Sequence, residues 1–209
     1  MQPLSGFRII DMTDERGALC GRVLADLGAD VIYVELPSGS PFRQAPPLAL
    51  DKRTSLAFAF RNAGKRGVSL DISTSGGRDE LHRLVDTADA WIESNPTGFL
   101  AAQGLAPEEV LRAHPTLVIT SITDFGQIGP HRNYLGTDMI GYAMGGMLYR
   151  AGAAHRPPVV APGSQAYDTA SITAAFGTAM AIYHRLHTGR GQWLDVSVQE
   201  ATSNLADWS

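Results

Sequence analysis

Cysteine, excess positive charge and long apolar runs are all scarce or missing in this sequence. The 209 residues include one cysteine, Cys20, so neither an intramolecular disulfide nor a paired-cysteine metal site is available. The formal net charge of −4 argues against a nucleic-acid partner. No uncharged apolar run approaches the roughly 18 residues of a membrane span, and no secretory signal is visible. We therefore expect a soluble, cytoplasmic protein with no metal site.

Common cofactor fingerprints are also missing. The segment 11–17, which connects the first predicted strand to the first predicted helix, lacks the glycine-rich pattern that cradles phosphates. It carries Asp14 and Glu15 where a pyrophosphate would need open backbone amides and positive potential. The six histidines show no metal-ligand spacing, and neither a nucleophile elbow nor a Walker loop occurs. These absences disfavour a nicotinamide, flavin or metal cofactor.

What the sequence does contain is a regular alternation of strand and helix patterns in a globular composition, with 44% hydrophobic and 18% charged residues. Such an alternation predicts a doubly wound, Rossmann-like α/β fold with a parallel sheet covered on both faces. The predicted strands are 7–12, 31–36, 67–72, 90–93, 117–122 and 193–198. The predicted helices are 17–27, 77–87, 107–114, 168–187 and one that begins at 199.

A compact set of hydrogen-bond donors precedes the third predicted strand. Asn62, Lys65 and Arg66 lie in the turn 61–67, where their side chains could hold a phosphate group. Lysine and arginine in turns are more often simply solvated. From chemistry alone, both a phosphate site and a solvated basic turn remain open for this segment.

Several segments, taken in order, resemble the family III CoA-transferases, the group of formyl-CoA transferase, carnitine CoA-transferase and the bile-acid-inducible proteins. They are PLSGFRIID at 3–11, LADLGADVIYVE at 24–35, GKRGVSLD at 64–71, FGQIGP at 125–130 and TGRGQ at 188–192. The resemblance implies a Rossmann-like large domain, a smaller second domain and two interlocked chains, in proteins of about twice this length. Residues 1–209 are accordingly predicted to be the N-terminal part of the large domain, without the small domain and the C-terminal return.

The resemblance also implies an activity. Family members move coenzyme A from an acyl-CoA to a carboxylic acid, and an enzyme aspartate attacks the thioester to form an acyl-enzyme anhydride. Coenzyme A and acyl-CoA would then be substrates, with no permanently bound cofactor. The expected partner is a second copy or a homologous chain. Related racemases use a histidine and an aspartate whose positions are not filled here, which disfavours racemisation.

The position that matches the family's nucleophile is unusual. The proline pair at 157–158 and the helix end at 185–189 place Tyr167 there, and Asp168 follows one residue later. Asp168 has two interpretations: it is the nucleophile, or it caps the helix by accepting the amide of Ala170 or Ser171. The sequence therefore predicts a CoA-transferase with Asp168 as nucleophile or, alternatively, a catalytically degenerate subunit or fragment that binds a partner chain.

The coenzyme A contacts implied by the resemblance are partly retained. Lys65, Arg66 and Asp71 match the family's nucleotide site, and the backbone from Leu70 to Ile72 would contribute to it. Two arginines of formyl-CoA transferase are replaced by leucine at position 36 and alanine at position 102. We therefore expect weak, salt-sensitive binding of coenzyme A.

Overall fold

The protein folds around one parallel sheet of six strands, in the order β3-β2-β1-β4-β5-β6. The computed structural model describes residues 2–206, so the last three positions of the predicted domain lie outside the described residues. The strands are β1 (Arg8–Met12), β2 (Asp30–Glu35), β3 (Arg66–Ser69), β4 (Ala90–Glu93), β5 (Val118–Thr123) and β6 (Gln192–Ser197). This arrangement confirms the predicted doubly wound α/β class.

Helices connect the strands and cover both faces of the sheet. They are α1 (Ala18–Asp26), α2 (Leu56–Arg61), α3 (Ser75–Val85), α4 (Phe99–Ala102), α5 (Pro107–Ala113), α6 (Asp138–Met144), α7 (Gln165–Thr188) and α8 (Val198–Ala206). The predicted third strand ends three residues earlier than expected, and the long helix α7 begins three residues earlier. None of the described helices has both the length and the hydropathy to cross a bilayer.

Two apolar layers hold the helices onto the sheet, because consecutive strand residues point to opposite faces. Ile9 packs with residues of α1 and α7, whereas its neighbour Ile10 packs with residues of α3 and α5. The central strands β4 and β5 are buried along their whole length. Burial on both faces is typical of the central strands of a parallel sheet.

The long helix α7 packs closely because its inner face consists of small residues. Ala170, Ala174 and Ala181 are buried against the core, where the contact with α1 is extensive. The helix ends at Gly189, whose φ of +70° lies in the left-handed region that glycine adopts without strain.

The strand order places a crevice above β1 and β4. From β1 the chain runs outward through β2 to β3, and it then returns to the other side of β1 as β4. In open parallel sheets, ligands bind where the strand order reverses in this way, outside the carboxyl ends of the strands. The segments after Met12 and Glu93 therefore form the expected edge of a binding site.

Candidate functional site

The crevice at this switch point contains a cavity of about 340 Å³. Its wall is formed by the turn after β1, the segment 96–97 after β4, the end of β5, the loop 132–136 and the first turn of α7. A second cavity of about 230 Å³ lies on the side of β2 and shares Asp14 and Arg16 with the first. The larger cavity is lined by Asp14, Glu15, Arg16, Thr123, Asp124 and Tyr167 and, from the neighbouring loops, by the polar residues Thr97, Arg132, Asn133 and Tyr134.

Arg16 organises the charges in the cavity wall. Its Nη2 lies 2.5 Å from Asp14 Oδ2, and its Nη1 donates to Asp124 Oδ2 at 3.1 Å. Asp14 Oδ1 also accepts a hydrogen bond from Ser94 Oγ at 2.8 Å, which ties the turn to the end of β4. Burial alone would lower the pKa of Arg16, but the hydrogen bond to Asp14 and the charges of both carboxylates raise it above its usual range. The guanidinium is therefore a permanent cation between two carboxylates.

Tyr167 lines this cavity from the first turn of α7. Its side chain is largely buried, and its backbone amide donates to Asp138 Oδ1 at 3.0 Å. Burial, followed by the negative charge of Asp124, raises the pKa of the Tyr167 phenol above its usual range. Burial likewise raises the pKa of Asp138, although the hydrogen bonds that its carboxylate accepts from backbone amides partly lower this pKa. The residue at the predicted nucleophile position is thus an un-ionised phenol at neutral pH.

The interpretation of Asp168 as a helix cap is wrong. Helix α7 already begins at Gln165, so Asp168 lies inside its first turn and its amide donates to the Ser164 carbonyl at 2.8 Å. The carboxylate instead forms a bidentate ion pair with Arg61 at the end of α2, with N–O distances of 2.9 to 3.0 Å. Asp168 is not among the residues that line the larger cavity. Its role as nucleophile stays a prediction.

Lys65 is not part of a solvated basic turn, so that interpretation is wrong for this residue. Its side chain is only 1% exposed, and Nζ lies 2.7 Å from Asp11 Oδ2. This contact is an ion pair by distance, although its angles are not those of a directed hydrogen bond. The ammonium also donates to the Ala18 carbonyl and to Asn62 Oδ1, each at 2.8 Å. Lys65 therefore contacts both β1, through Asp11, and α1, through the Ala18 carbonyl.

The other residues that are predicted to contact the nucleotide have different partners from Lys65. The Arg66 side chain is 63% exposed, and its Nη2 is 2.7 Å from Asp30 Oδ2. Asp71 accepts hydrogen bonds from the backbone and hydroxyl of Ser73. Leu70 and Ile72 line a mainly apolar cleft of about 170 Å³ beside the end of β2. Their proposed contacts with coenzyme A remain predictions.

The sequence reasoning missed Arg16, Asp124 and Asp138 as site residues. A positional signal was available for Asp124, because it directly follows a buried strand at the carboxyl edge of the sheet. Arg16 carried a weaker signal, since it lies in the turn after the first strand between two acids and a helix. No sequence motif connects these three residues, so only the fold brings them together.

Comparisons with known proteins agree with the fold. The family model described as CoA-transferase family III matches residues 4–209. The chain is 41% identical over 203 residues to the succinyl-CoA:(R)-benzylsuccinate CoA-transferase subunit BbsE of Thauera aromatica, covering 96% of this chain and 50% of that protein. It is 33% identical over 208 residues to the succinyl-CoA–D-citramalate CoA-transferase of Chloroflexus aurantiacus, with coverage of 99% and 52%.

Solved structures give the same result at the level of the backbone. A CAIB/BAIF family protein from Brucella suis superimposes with a TM-score of 0.92 at 32% identity, covering 98% of this chain and 55% of that one. The chain spans about half the length of the curated relatives it matches. Since the family model extends over nearly all of its residues, this chain belongs to CoA-transferase family III.

Proposed function

We propose that this chain contributes the acyl-CoA site of an enzyme that moves coenzyme A from an acyl-CoA to a carboxylic acid through an aspartyl acyl-enzyme. The observation that carries the proposal is the cavity at the switch point, where carboxylates are fixed around the Arg16 guanidinium. Relatives named as CoA-transferases that act on succinyl-CoA support the reaction class. Coenzyme A would enter and leave as part of the substrates rather than stay bound as a cofactor.

The chemistry needs a carboxylate beside a thioester and a group that stabilises negative charge. The carboxylate adds to the thioester carbon, the carbon–sulfur bond breaks, and the thiolate of coenzyme A leaves as the acyl anhydride forms. A fixed guanidinium near the reacting carbonyl stabilises the charge that develops on oxygen. Asp168 is the candidate nucleophile that the sequence offers, and in that role its carboxylate would have to leave Arg61 to reach the substrate.

Tyr167 supports a second function, that of a non-catalytic subunit. Its phenol occupies the position that matches the family's nucleophile, and its raised pKa keeps it neutral. A partner chain would then supply the attacking aspartate. The outer face of α7 offers a docking surface, with Ile172, Phe176 and Tyr183 each more than half exposed in one helical stripe. We expect this face to pair with a second copy or a homologous chain.

Binding and acylation experiments separate these functions. Calorimetry should detect binding of an acyl-CoA to the chain in its native assembly, and the absence of binding would contradict both functions. A transferase should convert a supplied carboxylic acid into its CoA thioester and should give a hydroxamate when trapped with hydroxylamine. A non-catalytic subunit should bind the acyl-CoA without ever becoming acylated itself.

A further inference from the structure

The cavity wall contains two buried polar atoms that find no hydrogen-bond partner among residues 2–206. They are Thr123 Oγ1 and Asp124 Oδ1, at the carboxyl end of β5. A buried polar atom without a partner costs free energy, and in native proteins such atoms call for an explanation such as a catalytic role. Two of them on adjacent residues of one cavity indicate that a ligand group completes their bonding.

The geometry points to Asp124, rather than Asp168, as the carboxylate that receives the acyl group in the reaction proposed above. This assignment rests on the proposed function and names the residue that performs its covalent step. Asp168 has both oxygens held by Arg61, outside the cavity lining. Asp14 has both oxygens engaged by Arg16 and Ser94. Of the other two carboxylates in the lining, Glu15 is exposed to solvent, whereas the Asp124 side chain is 11% exposed and uses only one of its oxygens.

Asp124 is fixed in an orientation in which Oδ1 is buried and has no hydrogen-bond partner. Its Oδ2 accepts from Arg16 Nη1 at 3.1 Å and from the Gly136 amide at 3.2 Å. Its backbone carbonyl accepts the amide of Gln199 in α8 at 3.1 Å. Both ends of the residue are therefore anchored. A nucleophile that is already oriented loses little conformational freedom in the reaction.

Asp124 also faces the position that matches the family's nucleophile. Asp124 and Tyr167 line the same cavity. After burial, the negative charge of Asp124 is the next cause of the raised pKa of Tyr167. The carboxylate that position 167 lacks is thus supplied by the residue that follows β5, and Tyr167 forms part of the wall beside it.

Access to Oδ1 is controlled by the loop before α6. A methyl group added to Gly136 would lie 2.6 Å from the Asp124 carboxyl carbon and 2.9 Å from Oδ1, so glycine is needed for this close approach. The hydrogen bond from the Gly136 amide holds the loop closed. The neighbouring Leu135 is 89% exposed, so the loop is held mainly by Tyr134, which packs edge-on against Phe125, and by the hydrogen bond from Thr97 Oγ1 to the Arg132 carbonyl. Opening of the loop uncovers the carboxylate for the thioester.

The acylation step balances without a proton, oxidant or reductant. A lone pair of Asp124 Oδ1 forms a bond to the thioester carbon, and the Thr123 hydroxyl donates to the carbonyl oxygen as it becomes negative. The carbon–sulfur bond then breaks, and the thiolate carries away the charge that Asp124 held. The thiolate next attacks the Asp124 carbonyl carbon, which releases the donor acid and leaves a thioester between Asp124 and coenzyme A. The acceptor carboxylate attacks this thioester and forms a second anhydride, with the thiolate as leaving group. The thiolate then takes the acceptor's acyl group, which gives the product thioester and regenerates the Asp124 carboxylate.

Mapping the site of acylation tests the assignment. The chain in its native assembly is titrated by calorimetry with acetyl-CoA, butyryl-CoA and succinyl-CoA. It is then incubated with whichever binds, trapped with hydroxylamine and digested for mass spectrometry. We expect the hydroxamate on the peptide that contains Asp124. It should disappear in Asp124→Asn, and the peptide that contains Asp168 should carry no hydroxamate.

Each other outcome overturns the assignment. A hydroxamate on Asp168 or Glu15 would give the role to that residue, and an unlabelled chain that binds acyl-CoA would be a non-catalytic subunit. Binding of none of the three thioesters would defeat the proposed function together with this assignment. Asp124→Asn retains the side-chain volume and an acceptor for Arg16, so it should bind acyl-CoA within about threefold of the unsubstituted chain. Mapping on the unsubstituted chain does not depend on the folding of any variant.

Discussion

Replacing Lys65 by methionine would remove an ammonium group from the interior while keeping most of the side-chain volume. Asp11, which is fully buried, would lose its cation and keep only the amide and hydroxyl of Thr13 as hydrogen-bond donors. Breaking a buried ion pair by removing one partner costs about 3–5 kcal/mol. The carbonyl of Ala18 and the side chain of Asn62 would also lose their donor. We expect a loss of stability at the upper end of that range.

The matched control is Arg66→Met, one residue later. Arg66 is 63% exposed, and its pair with Asp30 is solvated, so the change should cost no more than about 1 kcal/mol. The double variant Asp11→Asn, Lys65→Met removes both charges and should recover part of the lost stability. The measurement is the free energy of unfolding in urea, followed by circular dichroism.

Two results would refute this account of Lys65. A cost below about 1 kcal/mol would show that the ammonium is not buried in an ion pair with Asp11. No recovery in the double variant would show that the two residues do not interact. If Lys65→Met instead kept the stability and abolished coenzyme A binding, the residue would belong to the nucleotide site.

Three further predictions concern binding, assembly and pH. Arg66→Ala should weaken coenzyme A binding by about fivefold at low salt, the equivalent of about 1 kcal/mol, and unchanged affinity in calorimetry would exclude Arg66 as a contact. The chain should self-associate or need a partner, and Phe176→Glu should abolish association. Light scattering that finds the unsubstituted chain as a folded monomer at micromolar concentration would contradict this. Burial raises the pKa of Glu93, which is 1% exposed, above the ordinary glutamate value of 4.5. The folded state therefore binds that proton more strongly than the unfolded state, and stability should fall as the pH rises above 4.5 through the raised value. Glu93→Gln should remove this decline in urea titrations at several pH values, and an unchanged decline would assign it to another group.

The sheet could be predicted closely because its signals are local. Most strands contain short stretches of β-branched or aromatic residues and end near polar or glycine-rich turns, and the repeated alternation with helices allows few arrangements other than a parallel sheet. The short helices α2, α4 and α6 were missed, because they are too short to show a helical period in the sequence. The fold class was therefore accessible from pattern alone, whereas the short connecting elements were not.

The candidate site was less accessible, because its contacts join distant parts of the chain. Ser164 and Asp168 are both good helix-start residues, and nothing local decides between them. The start of the helix at Ser164 depends on Asp138, the first residue of α6, which accepts a hydrogen bond from the Tyr167 amide. The burial of Lys65 likewise depends on Asp11, far away in sequence. Asp124 belongs to no motif, so its meeting with Arg16 required the folded structure.

The length of α7 has a further consequence. Its 24 residues form a rod of roughly 36 Å, with Tyr167 in the cavity wall near one end and Phe176 on the outer surface. Ser171, between them, donates its hydroxyl to the Arg16 carbonyl at 2.9 Å and couples the rod to the turn that holds the site's cation. Contact with a partner and occupancy of the cavity act on the same helix. If partner binding shifts the tilt of α7 and thereby changes the free energy of ligand binding, ligand binding must change the free energy of partner binding by the same amount.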